Sequence, residues 1–440
     1  MSALRWPDPV GVGGLVCRVL LQCLVLAWPT SLLALDADYR LKWFSTASTL
    51  APHDVERAPE PVARGLLGRE GTGTPTFDHS ADLRIMVRHD EGSLHFLLDY
   101  SAILLTGDRQ AIRAQQDARV DQTVVDDSRR WADLTWDIED GNRHRSIHRL
   151  DRAALQWRPG DWTVTVGRQA VSWGSGIVFQ PMDLFSPFSP TVVDRDYKAG
   201  DDLLLVERLL PAGQDLALLH IVRRDESGDV SSDVASTALK WHGYAGAGEF
   251  EVAAGRHYGE RVGAVSARWP LGSALVRLDL VATENAEGEW VVSGIANTDV
   301  TFVVADKTIY VFAEFFHNGW GVGDLSSLAN LDVELTQRLA RGEVFNLMQN
   351  YVALGTSIQW HPLLTQSLTT LTNLHDRSTL LQTQFSIQPG DNQSLDVGWV
   401  KALGRAGDEF GGVNLADVPG LGPVTTGGGG RMYLRWVYFL

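Results

Sequence analysis

The sequence predicts an all-β fold: a transmembrane antiparallel up-and-down β-barrel of about 18 strands, with an inward-folded loop and short loop helices. Three observations lead there. Apolar and polar residues alternate with a period of two along many short segments. Connections between those segments are short and long in turn. The last ten residues form an aromatic-rich alternating strand. A count of about 16 strands is the alternative threading.

The chain has 440 residues, of which 44% are hydrophobic, and a mean hydropathy of −0.07. After the N-terminus no apolar run reaches the roughly 18 residues that a helical span needs. A barrel wall hides its membrane signal, because lipid-facing and lumen-facing residues alternate and cancel. Residues 1–34 read as a secretory signal peptide, with Arg5 and Arg18 around a long n-region, an apolar stretch over 19–27, and cleavage near 34–37. Residues 38–440 then make a single barrel in the outer membrane of a Gram-negative cell. Cys17 and Cys23 both fall in the leader, so the mature chain has no disulfide and no thiolate metal site. With 38 basic and 54 acidic residues, a formal charge of −16, general nucleic-acid binding is excluded.

The clearest strand is 274–282. Ala274, Val276, Leu278, Leu280 and Ala282 share one face, with Arg277 and Asp279 on the other. An apolar stripe backed by charges suits a wall between lipid and water. Leu94, Phe96, Leu98 and Tyr100 repeat it against Asp99. So do Leu395, Val397 and Trp399 against Asp396, and Phe250, Val252 and Ala254 against Glu251.

Tight-turn residues punctuate these runs at Pro159-Gly160-Asp161, Pro211-Ala212-Gly213, Pro270-Leu271-Gly272 and Pro389-Gly390-Asp391. Trp157, Trp162, Trp241, Trp269 and Trp360 stand beside turns, where an indole can sit half in lipid and half in water. Between the short turns lie longer links near 51–81, 102–146, 170–201, 224–234, 318–349 and 403–429. Two of them carry helix signals: 324–341 has leucines at helical spacing, and 108–130 is polar and charged.

In the final segment, 431–440, Met432, Leu434, Trp436, Tyr438 and Leu440 line one face, and Arg431, Tyr433 and Arg435 the other. Such an ending resembles the assembly signal that barrel-assembly machinery reads, although Leu440 follows the aromatic Phe439 that usually comes last.

The most distinctive stretch joins two predicted strands. It runs Gly167-Arg-Gln-Ala-Val-Ser-Trp-Gly-Ser-Gly176, then Phe179-Gln-Pro-Met-Asp-Leu-Phe-Ser-Pro-Phe-Ser-Pro190, then Asp194-Arg-Asp-Tyr-Lys-Ala-Gly-Asp-Asp202. Gly and Pro fix its path and its aromatics supply a small core. It reads as a constriction loop over 170–201 folded into the lumen, with a structured outer cap as the alternative. Its candidate residues are Arg168, Trp173, Phe179, Asp183, Phe185, Phe188, Asp194, Asp196, Asp201 and Asp202.

At this motif the chain resembles a proteobacterial group of outer-membrane barrels of poorly defined function, porin-like and alginate-export-like. The resemblance covers about residues 167–202 and implies a pore or export channel.

Closure gives a second candidate site. A last strand paired with the first brings Arg431 and Arg435 beside Arg40 and Lys42, and the second strand adds Arg84 and Arg88. These six form a predicted basic arc, with Asp183, Asp194, Asp196, Asp201 and Asp202 expected to face it across the lumen. Elsewhere Lys240, Arg268 and Arg277 are offset by Asp99, Glu251, Asp279, Glu314 and Asp396.

No enzyme motif emerges. His144 and His148 are four apart but lack the glutamate of a zinc-protease helix. No Ser-His spacing stands out, and the paired aspartates lack the loop spacing of a calcium site. The expected function is a porin-like channel for a polar solute or polymer, anionic if the arc dominates, with no catalysis, metal or cofactor. The partners are then outer-membrane lipid, the assembly machinery and the solute. A plugged barrel that binds or assembles surface polysaccharide is the alternative, and a barrel hydrolase the weaker third.

Overall fold

The structure, a computed structural model, describes residues 36–67, 71, 73, 75–108, 110, 127–193, 197–325 and 331–440. The expected leader over 1–34 and most of the helix-like stretch 108–130 lie outside the described residues. The strands run β1 (Asp36–Thr49), β2 (Thr76–Glu91), β3 (Leu94–Gly107), β4 (Thr135–Asp140), β5 (His144–Trp157), β6 (Trp162–Gln169) and β7 (Asp201–Leu209). Then come β8 (Asp215–Ile221), β9 (Ser236–Ala245), β10 (Gly248–His257), β11 (Glu260–Leu271), β12 (Ala274–Glu284), β13 (Trp290–Val304) and β14 (Lys307–His317). The last are β15 (Asn350–His361), β16 (Leu364–Asn373), β17 (Thr379–Gly390), β18 (Gln393–Leu403), β19 (Val413–Val418), β20 (Gly422–Thr426) and β21 (Gly430–Phe439).

Eighteen of these strands close into an antiparallel barrel. Closure is made by β21, which pairs with β18 on one edge and β1 on the other; Leu41 stands opposite Tyr438, Phe44 opposite Arg435 and Ser48 opposite Arg431. Both edges of the sheet are thereby used, as a hydrocarbon surround demands.

The alternation sets the two faces. On β12, Val276, Leu278 and Leu280 are exposed while Asp279 is fully buried. On β3, Phe96 and Leu98 are exposed and Asp99 is buried. Exposed Trp157, Trp162, Trp269 and Trp360 ring the short-turn end. Nothing in solution would leave so many large apolar side chains outward in one band; a bilayer does.

Three features of the long links escaped the sequence reading. The link after β1 carries helix α1 (Glu60–Leu67). The link after β18 carries the separate hairpin β19–β20. β4 lies along the upper half of β5, from Thr135 opposite Arg149 to Asp140 opposite Arg145. The lower half of β5 pairs with β6 instead, from Ala153 opposite Arg168 to Trp157 opposite Val164. β4 thus continues the wall above β6, where the chain turns away. None of the three shows long periodicity, which is why pattern reading passes over them. Helix α2 (Val333–Arg341) starts later than the leucine spacing suggests, because the Asp332 side chain caps it by accepting from the Glu334 N–H at 2.7 Å. Leu325 and Leu331 precede it.

A charge placed on the lipid face tests the assignment of faces. Leu434→Arg, midway along β21 on the exposed face, lowers the unfolding free energy in lipid by about 2–4 kcal/mol. Leu421→Arg, exposed in the turn between β19 and β20, changes it by less than about 0.5 kcal/mol. Urea titration of the folded band checks both.

Candidate functional site

β6 ends at Gln169 and β7 begins at Asp201, and these two residues pair. Residues 170–200 therefore leave the wall and rejoin it at one height. They turn inward. Val171, Trp173, Met182 and Phe185 share a buried cluster with wall residues Leu219, Ala238, Ala253, Ala264 and Val281. Small wall side chains leave depth for the loop's large ones, and Trp173 meets Phe185 edge to face at 5.1 Å. A second cluster lies further round. Phe179 stacks on Phe316 of β14, with centroids 4.3 Å apart, beside Tyr351 and Leu371.

Two wall carboxylates tie the loop down. Asp279 accepts the Ser175 N–H at 2.7 Å and the Ser175 hydroxyl at 2.6 Å. Glu314 accepts the N–H groups of Ile177, Val178 and Phe179 at 2.7, 2.9 and 2.8 Å, and the Asn297 amide at 2.9 Å. An ionised carboxylate has about four acceptor sites, so Glu314 is nearly saturated and answers three otherwise orphaned backbone donors. Gly174 is required here: its φ is 89°, and a Cβ would lie 2.8 Å from both Asp279 Oδ2 and Met182 Cβ. Arg268 adds a hydrogen bond to the Gly174 carbonyl at 3.0 Å.

The loop's other end reaches the far wall. Tyr197 lies under the guanidinium of Arg84 at 3.7 Å and beside that of Arg40 at 4.8 Å, and its hydroxyl meets Met86 at 3.5 Å. In the eighteen-strand circuit β12 stands half a turn from β2. Ser175–Phe179 are thus fixed to Asp279 and Glu314 on one wall, and Tyr197 to Arg84 on the wall half a turn away.

The three described candidate acids, Asp183, Asp201 and Asp202, are each paired locally rather than set against the basic arc. Asp183 is buried within the loop against Lys198, whose ammonium also meets the Val171 carbonyl and the Ser172 hydroxyl. Burial pushes the Asp183 carboxyl up to about 6 and the Lys198 amine down. Asp202 receives Arg168 through two bonds, 2.9 and 3.0 Å, while Arg168 also holds Asp127 at 2.8 Å. Asp201 takes Arg223 at 3.2 Å. A transverse field from these three is thus replaced by local ion pairing, because each carboxylate, once out of water, needs a cation at contact. Asp194 and Asp196 lie outside the described residues. Trp173, Phe179 and Phe185 are buried in the two clusters, and Phe188 is half-buried apart from them.

The six cations share the inner face of β21, β1 and β2 but form a slanting ladder rather than a ring. Arg431 lies level with Ser48, Arg435 with Phe44, and Arg40 lower, opposite Phe439. At least three of them bind their own wall. Arg435 holds Asp396 at 2.6 Å, Arg84 holds Asp151 at 2.7 Å, and Arg88 meets Asp99. Arg149 and Arg152 of β5 are buried alongside, two inward cations that sequence reading missed. Tyr197 was missed too, since nothing in the local pattern says which wall a loop tyrosine will reach. Asp279 and Glu314 were legible as inward acids offsetting Lys240, Arg268 and Arg277, but not as loop anchors.

Among the described residues no group of three or more His, Cys, Asp or Glu could hold a metal ion.

Over the mouth, Glu409 reaches down from the link after β18. It accepts the Leu347 N–H at 2.8 Å, the Tyr351 hydroxyl at 2.7 Å and the Asn373 amide at 2.8 Å. Burial nevertheless pushes its carboxyl up to about 7.

The closed eighteen-stranded wall with its outward apolar band makes the chain a transmembrane β-barrel of the outer-membrane class. No protein family and no curated protein matches it by sequence. Its fold is similar to that of OccK2 (OpdF) of Pseudomonas aeruginosa, with a TM-score of 0.52 at 11% identity, covering 92% of this chain and 98% of that one. It is also similar to OccAB4 of Acinetobacter baumannii, with a TM-score of 0.50 at 9% identity and coverages of 92% and 98%. At such identities the likeness establishes the fold alone.

Glu409 gives a pH-dependent prediction. Its folded-state value, about 7, exceeds the ordinary 4.5, so the folded link holds the proton more tightly. Anchoring is therefore full below about pH 4.5 and weakens as pH rises to about 7. Trypsin cleavage at exposed Arg405, normalised to a peptide control, is faster at about pH 8 than at about pH 5. Glu409→Gln removes that difference.

Proposed function

We propose that this chain is a porin-like channel passing a small polar solute across the outer membrane, without catalysis. The observation that carries the reading is the loop laid across the lumen of a closed barrel and held by Glu314. A barrel that only anchored a surface polymer would have no need of a gauge at mid-depth. Trp173, Phe179 and Phe185 set the thickness of the crossing segment in this reading, and the Arg431–Arg435–Lys42–Arg40–Arg84–Arg88 ladder lines the wall beside it. Pairing of Arg84, Arg88 and Arg435 with wall carboxylates reduces the anion preference that six unpaired cations would give. Outer-membrane lipid is then the partner of the apolar band, and assembly machinery the reader of β21.

A hydrolase is disfavoured by one contact. Ser236 Oγ does meet His257 Nδ1 at 2.8 Å, with Glu343 3.4 Å from the other ring nitrogen. Ser236 and His257 are 1% and 2% exposed, however, and the Ser236 hydroxyl also takes a bond from Arg223. No substrate reaches that oxygen, so the trio reads as a relay between outer link and wall.

Planar-bilayer recording tests the channel. Folded protein gives discrete current steps. Glu314→Ala orphans three loop N–H groups, and is expected to raise conductance and current noise while the heat-resistant folded band persists. Folded protein with no current above background sinks the reading.

A further inference from the structure

We infer that the solute is an uncharged polyhydroxylated molecule of about the size of a single sugar, passed along the inner face of β15–β17. This rests on the channel reading above and supplies its substrate class.

The inner wall is not uniform. Beneath the crossing loop, inward residues of β8–β12 such as Leu219, Ala253 and Val281 are buried in the loop's own cluster, and that side is packed shut. The face of β15–β17 differs. Register sets Ser357 opposite Ser367, Ser367 opposite Gln384, Thr369 opposite Gln382, and Thr365 opposite Ser386. These residues alternate in phase with Leu371 and Leu380, which pack on the loop from the same face, so they point inward. Each keeps accessible surface. None carries a charge. The neighbouring ion, Asp396 on β18, stands opposite both Ser386 and Arg435 and is held by Arg435 at 2.6 Å.

Hydroxyls and carboxamides both donate and accept, whereas an ionised wall offers only one of these roles at each group. A polyol presents donors and acceptors on every carbon and no charge to repay the stripping of water from an ion. Cross-strand partners stand about 4.5–5.5 Å apart, close to the separation of alternate hydroxyls around a pyranose ring. Gln384 is held in place by the wall and keeps one carbonyl lone pair for a solute, while Ser357, Ser367, Thr365 and Thr369 supply hydroxyls on the same face. The Gln384 amide nitrogen donates to Ser386 at 2.9 Å and Asp396 at 3.1 Å, and its carbonyl accepts from Tyr433 at 2.8 Å. Phe44, inward on β1 with its ring 6.0 Å from that of Tyr433, adds an aromatic surface for the C–H side of such a molecule. On the ladder, by contrast, an entering anion competes with Asp99, Asp151 and Asp396 for Arg84, Arg88 and Arg435.

Liposome swelling with glucose, potassium gluconate (with valinomycin to carry the cation) and glucosamine separates the classes at nearly constant size. Wild type admits glucose at least as fast as gluconate. Ser367→Asp slows glucose several-fold relative to glucosamine, and Thr369→Val slows glucose without favouring either ion; heat-resistant migration reports that each variant is folded. Gluconate entering several-fold faster than glucose overturns the inference while leaving a channel in place. So does a glucose rate unmoved by both variants. Silence with every solute, matched by silent bilayers, overturns the channel itself and this inference with it.

Discussion

A backbone amide in hydrocarbon has no partner but another strand, and this constraint shapes everything else in the molecule. It forces the sheet to close, and β21 satisfies it by bonding to β18 and β1 together. Closure fixes the parity of every strand, since a slip of one residue would put Arg435 in lipid and Leu434 in the lumen. It also creates an interior cut off from lipid, in which charged side chains and a folded loop can be kept.

The same requirement governs that loop. Residues 170–200 give up the wall's hydrogen bonds when they turn inward, and their N–H groups need new acceptors. Glu314 and Asp279 provide them from the inner face, while the gap left above β6 is filled by β4. A carboxylate buried on the inner wall is therefore costly alone and stabilising once the loop arrives. Tyr197 extends the anchorage to the opposite wall through Arg84 and Arg40. The described part of the loop packs on the inner face of β8–β12 and on the Phe316–Tyr351–Leu371 end of β14–β16, while Ser, Thr and Gln residues nearer the short turns of β15–β17 keep accessible surface.

Much of the fold was legible because a barrel writes its rules locally. The alternation in 274–282, the turn at Pro270-Leu271-Gly272 and the ending Met432–Leu434–Trp436 each report a face or an end without reference to distant residues. The site was legible only in part. Arg40, Arg84 and Arg435 could be placed inward by parity, since parity is a local property. That Asp202 would bind Arg168, or that Asp183 would turn back on Lys198, depends on a loop path set by three-dimensional packing. Gly174 shows the same limit: the sequence displays a Gly-Ser-Gly bend, but only the approach of Met182 and Asp279 explains why a side chain is excluded there.

Everything rests on the seam between the first and last strands. Both native cysteines lie in the first 35 residues, so a chain expressed without those residues can report on the seam through Ala47→Cys paired with Met432→Cys, residues that stand opposite each other on the outer face. Mild oxidation of the folded protein in lipid is predicted to join this pair in high yield, and to join Ala47→Cys with Leu434→Cys, two residues out of register, poorly. A folded barrel that fails to cross-link at 47 and 432, or that joins the slipped pair instead, would contradict the account.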